Sequence, residues 1–131
     1  MVTFTLAKKE RLCSRKAFES LITSGLPYFT YPFKVVWKKM DDPEEVPVKI
    51  AFTVPKRRFK RANKRNLLKR RMREAYRLNK HPLVGFLQEH RLSVQILLVY
   101  ISSDELPFLE IETKLKSVFD HVLTEMQKLN S

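Results

Sequence analysis

One cysteine and two glycines in 131 residues remove several classes of chemistry at once. A lone Cys13 excludes an internal disulfide framework and any cysteine-built zinc cluster. Gly25 and Gly85 are too few for a G-x-G-x-x-G fingerprint, and no G-x-x-x-x-G-K pattern occurs, so the glycine-rich phosphate cradles are out. Long apolar runs are missing too. The longest, Ile96 to Ile101, is far too short to span a bilayer. Residues MVTFTLAKKE hold no basic segment followed by an apolar one, so no secretory signal is expected, and the expected address is the cytoplasm. Acidic residues are scarce: 14 against 26 Lys and Arg, a net charge of +12. What is present is a 44% apolar fraction, enough for a packed core. The length suits one domain over residues 1–131, with its first ~7 residues and its last few outside the packed body.

The positive charge is concentrated. Between Lys56 and Arg77 stand 12 basic residues and one acidic residue, Glu74, a local charge of +11 that leaves +1 for the rest of the chain. Like-charge runs are commonly solvated tails. This one is internal and interleaved with apolar residues, which points to a docked element facing a polyanion.

The pattern of apolar residues orders the elements. Ser14 to Ser24 reads as a helix with Ser14 as N-cap, Phe18, Leu21 and Ile22 on one face, and Gly25 as a left-handed C-terminal residue. Tyr28 to Met40 reads as a strand with Phe33, Val35 and Trp37 on one face and Lys34, Val36 and Lys38 on the other. After an acidic, proline-bearing loop (Asp41 to Pro47), Val48 to Val54 alternates again, and the short loop predicts antiparallel pairing with the preceding strand. A helix is predicted from Asn63 to Asn79, stopped by His81-Pro82. Leu92 to Ile101 is apolar on both faces, as a central strand is. Ile111, Leu115, Val118, Val122, Met126 and Leu129 mark a last helix from Glu110. The sum is an α/β (α+β) two-layer sandwich.

At about 100° per residue, Arg65, Lys69, Arg73, Asn66, Arg77 and Arg70 share an arc of about 140° on the basic helix. Leu68, Met72, Ala75 and Tyr76 form the adjoining core stripe. Such a rigid row of guanidinium and ammonium donors is spaced to meet successive phosphates, and Asn66 can reach a sugar hydroxyl, a base edge or backbone. Lys64 and Arg65 in the first turn oppose the helix dipole, an arrangement that a bound anion would reverse. Bound sulfate or phosphate is therefore expected in the free protein.

Residues Val54 to Arg77 read VPKRRFKRANKRNLLKRRMREAYR. This segment resembles the signature of the protein component of bacterial ribonuclease P, A-x2-R-N-x2-K-R-x2-R-E, met by Ala62, Arg65, Asn66, Lys69, Arg70, Arg73 and Glu74. Lys56 and Arg57 match the family's basic pair at a strand end, and Arg11-Leu12, Phe18 and Gly25 fit the N-terminal part. The resemblance spans roughly Lys8 to Val122. Leu67 and Ile22 stand where the family often has arginine and a second aromatic, and a glycine common in the family's basic loop is absent, with Phe59 nearby.

The resemblance implies a fold like the second domain of ribosomal protein S5, with a left-handed βαβ crossover through the basic helix. It implies the protein subunit of a ribonucleoprotein that removes the 5′ leader from precursor tRNA, with no tightly bound cofactor, Mg²⁺ being used through the catalytic RNA. The partners implied are ribonuclease P RNA and precursor tRNA, with neither a membrane nor a further protein. Lys56, Arg57, Arg58, Lys60, Arg61, Lys64, Arg65, Asn66, Lys69, Arg70, Arg73 and Arg77 would contact the catalytic RNA. The single-stranded leader would lie between the first helix and the sheet, against Phe18, Ile22, Phe33, Val35, Trp37 and Lys56. From the residues alone, Phe33 and Trp37 suit core packing equally well, and Lys34 or Lys38 take their place if the strand faces the other way. Phe52 and Val54 read as core.

His81, His90 and His121 have no metal-ligand spacing with Cys13, and Asp41, Asp42, Glu44 and Glu45 read as a solvated loop. Asp104 and Glu105 precede the last helix, where acidic side chains suit its dipole. A ribosomal or other structural RNA-binding protein, or an RNA chaperone, would show the same charge segregation. A nuclease acting alone lacks a carboxylate site to argue from.

Overall fold

The computed structural model describes residues 15–40 and 46–130. Its elements run α1 (Arg15–Ser24), β1 (Leu26–Thr30), β2 (Phe33–Met40), β3 (Val48–Thr53), α2 (Ala62–Asn79), α3 (His81–Glu89), β4 (Ser93–Tyr100) and α4 (Phe108–Asn130). The expected N-cap Ser14, together with Arg11-Leu12, Cys13 and the acidic residues Asp41 to Glu45, lies outside the described residues.

The four strands form one sheet in the order β1-β2-β4-β3. β4 is buried at seven of its eight positions and takes an interior place, where both faces are covered. It pairs antiparallel with β2 and parallel with β3. This corrects the expected β2–β3 hairpin: the more apolar strand inserts between them because it has the most surface to remove from water. Parallel β3 and β4 are joined by a crossover through α2 and α3.

Two further elements differ from the sequence reading. The stretch 28–40 is not one strand. It folds back at Tyr31-Pro32, whose peptide bond is cis, and β1 pairs antiparallel with β2. His81-Pro82 ends α2 as expected but also begins α3, because a proline in the first turn loses no intrahelical hydrogen bond.

The two sheet faces are unequal. Phe33, Val35 and Trp37 of β2, Val48 and Ile50 of β3, and Val94, Ile96, Leu98 and Tyr100 of β4 pack with Leu68, Met72, Ala75 and Tyr76 of α2, Leu83 and Leu87 of α3, and Ile111, Leu115, Val118 and Val122 of α4. Val54 belongs to this core, and Phe52 packs against it. Tyr76 meets Phe52 and Phe119 edge to face, with centroids 6.1 and 5.6 Å apart. The opposite face carries a small cluster, Leu21 and Leu97 with Phe18, Val36, Ala51 and Val99, through which α1 is attached. The two-layer arrangement thus describes the sheet and α2–α4, with α1 as a partial cover on the other side. Among the described residues, no helix is long and apolar enough to cross a membrane.

Candidate nucleic-acid interface

The basic loop between β3 and α2 is anchored at one apolar residue. Phe59 packs against the core with its ring 5.9 Å from that of Tyr100. The Arg58 and Phe59 N–H groups donate to the Pro55 carbonyl at 3.0 and 3.4 Å, closing a turn. Arg65 then reaches back and donates to the Phe59 and Lys60 carbonyls at 2.8 and 2.9 Å. These contacts leave Lys56, Arg57, Lys60 and Arg61 exposed.

On α2, the predicted core stripe of Leu68, Met72, Ala75 and Tyr76 is buried. Asn66, Arg70 and Arg73 are exposed, and Lys69 is half-buried beside them. Arg61 precedes the helix with no side-chain cap hydrogen bond, and the first turn holds no acidic residue. The positive end of the dipole therefore lies within the cationic surface, where an anion is favoured.

Some of the predicted donors are engaged within the protein. Arg77 pairs with Glu74, the Nε–Oε2 distance being 3.0 Å. That hydrogen bond raises the Arg77 pKa and holds the Glu74 carboxyl below its ordinary range. Lys64 donates to Glu105 at 2.8 Å, which lowers the Glu105 pKa. Glu105 thus ties the β4–α4 loop to α2. Arg58 turns toward Ser103, 3.5 Å away.

Arg71 does a different job from its neighbours. It donates to the Leu106 carbonyl at 2.7 Å and so helps to anchor the β4–α4 loop. Tyr31, which donates to Ser102 Oγ at 2.8 Å, and Tyr100, which donates to the Asp104 carbonyl at 2.5 Å and accepts from the Leu106 N–H at 3.2 Å, hold the same loop. Burial pushes the Tyr100 phenol up from its ordinary value.

The leader-facing expectation for β2 is corrected. Phe33, Val35 and Trp37 are 0, 0 and 1% exposed and lie in the main core, where no strand of RNA reaches them. Strand alternation sends their neighbours Lys34, Val36 and Lys38 to the opposite face. There the register forms rows across β2, β4 and β3: Lys34, Val99 and Thr53; Val36, Leu97 and Ala51; and Lys38, Gln95 and Lys49. α1 stands over this face: Phe18 is half-buried against it, Ile22 projects outward, and Lys38 Nζ donates to Ser20 Oγ at 3.3 Å. The result is a sheet face with an apolar patch, covered in part by α1, and lysines along it. At the β3 end of this face the chain leaves through Pro55 to exposed Lys56, the first cation of the basic loop. Lys49, which the sequence reading did not single out, shares this face.

The sequence model of the family described as Ribonuclease P matches residues 6–123. The chain belongs to the ribonuclease P protein family. The ribonuclease P protein components of two Porphyromonas gingivalis strains are each 41% identical to it over 105 residues, 80% of this chain and 76% of theirs. Two solved structures share its fold. The Thermotoga maritima RNase P protein superposes with a TM-score of 0.68 at 24% identity, covering 86% of this chain and 96% of that one. The Staphylococcus aureus RNase P protein gives 0.67 at 20%, covering 86% and 94%. A ribonuclease P protein is the protein subunit of ribonuclease P, an endoribonuclease of tRNA processing, and family membership implies an RNA partner.

Proposed function

We propose that this subunit binds ribonuclease P RNA through the basic loop and the exposed face of α2, and holds the single-stranded leader of precursor tRNA in the cleft beneath α1. The supporting observation is the chain's passage at Lys56 from the lysine-bearing sheet face beside α1 into the exposed basic loop that leads to α2. In this reading the RNA subunit carries the chemistry with Mg²⁺, the protein holds no cofactor or further protein partner, and the complex works in the cytoplasm. A fold like the second domain of ribosomal protein S5, with a left-handed crossover through α2, belongs to the same reading.

Reconstitution tests it. Mixed with a bacterial ribonuclease P RNA at low Mg²⁺, where that RNA alone is nearly inactive, the protein is expected to restore cleavage at the leader junction and to favour precursor over mature tRNA. No rescue by folded protein, with the RNA active at high Mg²⁺, would point instead to a structural RNA-binding role.

Within that complex, Arg70→Ala is expected to lower the slope of log affinity against log salt by about one unit, the release of one phosphate contact. An unchanged slope would mean that Arg70 does not meet the backbone. Arg65→Ala is expected to act differently, by freeing the loop carbonyls at Phe59 and Lys60.

The free protein is expected to melt at higher temperature as sulfate or phosphate is added, because anions relieve repulsion within the +11 segment and occupy the uncapped start of α2. A melting temperature flat in sulfate, against a chloride control of equal ionic strength, would contradict anion binding there.

A further inference from the structure

Phenylalanine is among the side chains most often fully buried, yet Phe29 is 65% exposed. It sits on β1, an edge strand, and its register partner is Lys34 of β2, itself exposed. Phe29 therefore lies on the α1 side of the sheet, not on the side of Phe33 and Trp37. Lys34 is followed across the sheet by Val99 of β4 and Thr53 of β3. Strands stand about 4.8 Å apart, so this row is about 14 Å long. It carries no acidic side chain. One end is an exposed aromatic ring; beyond the other, past Val54 and Pro55, lie exposed Lys56 and Arg57. The adjacent row, Val36, Leu97 and Ala51, is where Leu21 and Phe18 of α1 pack.

We propose that Phe29 is a stacking subsite for an unpaired nucleobase of single-stranded RNA, with the strand crossing the sheet from Lys56 along this row and Lys34 pairing a phosphate next to the stacked base. The inference rests on the leader-cleft reading above and extends it to the β1 edge of the sheet. A ring offers its face to any base, and a neighbouring ammonium supplies the charge that a backbone requires. An apolar protein partner would leave Lys34 and the cations at the far end of the row unpaired, so the charge favours RNA.

The test uses the assembled holoenzyme and precursor tRNAs whose leaders grow one nucleotide at a time. Phe29→Ala is expected to weaken binding about tenfold once the leader is long enough to reach the subsite, and to leave shorter leaders and mature tRNA unaffected. Phe29→Tyr should retain wild-type affinity. A single abasic residue, at one leader position only, should abolish the difference between Phe29→Ala and wild type. Because the ring is exposed, the melting temperature of Phe29→Ala should match that of wild type. Equal affinity of variant and wild type at every leader length would overturn the subsite, as would an equal loss for mature tRNA. If the wild-type holoenzyme itself shows no preference for precursor over mature tRNA, the leader reading fails and the subsite falls with it. A failure of the subsite alone leaves that preference intact.

Discussion

Trp37→Ala is expected to lower the unfolding free energy by about 3–5 kcal/mol. That is a large part of the stability of an ordinary domain, about 5–15 kcal/mol. The indole is 1% exposed. It lies between Leu26 of β1 and Ile96 of β4 in the sheet register, and its ring meets His121 of α4 edge-on with centroids 6.5 Å apart. His121 in turn stacks on Tyr28 at 3.7 Å. Removing the indole leaves a cavity bordered by three strands and α4, which cannot all move inward to fill it. Trp37→Phe should cost much less, since the indole N–H has no hydrogen-bond partner among the described residues and a phenyl ring loses none. Urea denaturation followed by circular dichroism measures both. The fraction of Trp37→Ala that remains folded should still discriminate precursor from mature tRNA. Loss of that discrimination with stability within about 1 kcal/mol of wild type would place Trp37 against substrate after all.

Gly25→Ala is expected to abolish leader discrimination while the main core survives. A Cβ at Gly25 would lie 2.4 Å from the Leu21 carbonyl oxygen and 2.5 Å from Val36 Cγ1. The oxygen belongs to the last turn of α1 and accepts the Gly25 N–H at 2.7 Å, so no side-chain rotation relieves the clash. Val36 is β-branched and stiff at χ1. The helix must lift from the sheet. Its attachment is the small cluster around Leu21 and Leu97, separate from the core beneath α2 and α4, so the stability loss should be about 1–3 kcal/mol. Leader-dependent affinity should fall about tenfold or more if the stacking and phosphate contacts proposed for this face are lost together. Equilibrium binding of precursor and mature tRNA, beside a melting curve, separates the two effects. Wild-type values of both would show that α1 does not form the wall of a leader site. Gly25 has no positive φ, so the expected left-handed C-terminal residue is corrected. Glycine is needed here for the close approach of α1 to β2.

The residue pattern alone determined most of the elements and the basic surface. The stripe of Leu68, Met72, Ala75 and Tyr76 specifies which side of α2 is buried, because a helix must remove an apolar stripe from water and leaves its charges outside. The double-faced apolarity of β4 specifies a central strand for the same reason. The signature from Ala62 to Glu74 pointed to the family that the wider comparison establishes.

Tertiary structure decided which face of β2 is buried in the main core. Alternation separates Phe33, Val35 and Trp37 from Lys34, Val36 and Lys38, but it carries no information on which set lies beneath α2 and α4. The turn at Tyr31-Pro32 was decisive for Phe29: in a continuous strand it would share a face with Phe33, whereas the reversal sets it opposite Lys34. Strand order was equally non-local, since loop length favoured pairing β2 with β3 while burial of β4 required it between them. The roles of Arg65, Arg71 and Lys64 were likewise settled by the carbonyls and carboxylate that the fold brings to them, because a cation's partner is a matter of distance, and distance is a property of the folded chain.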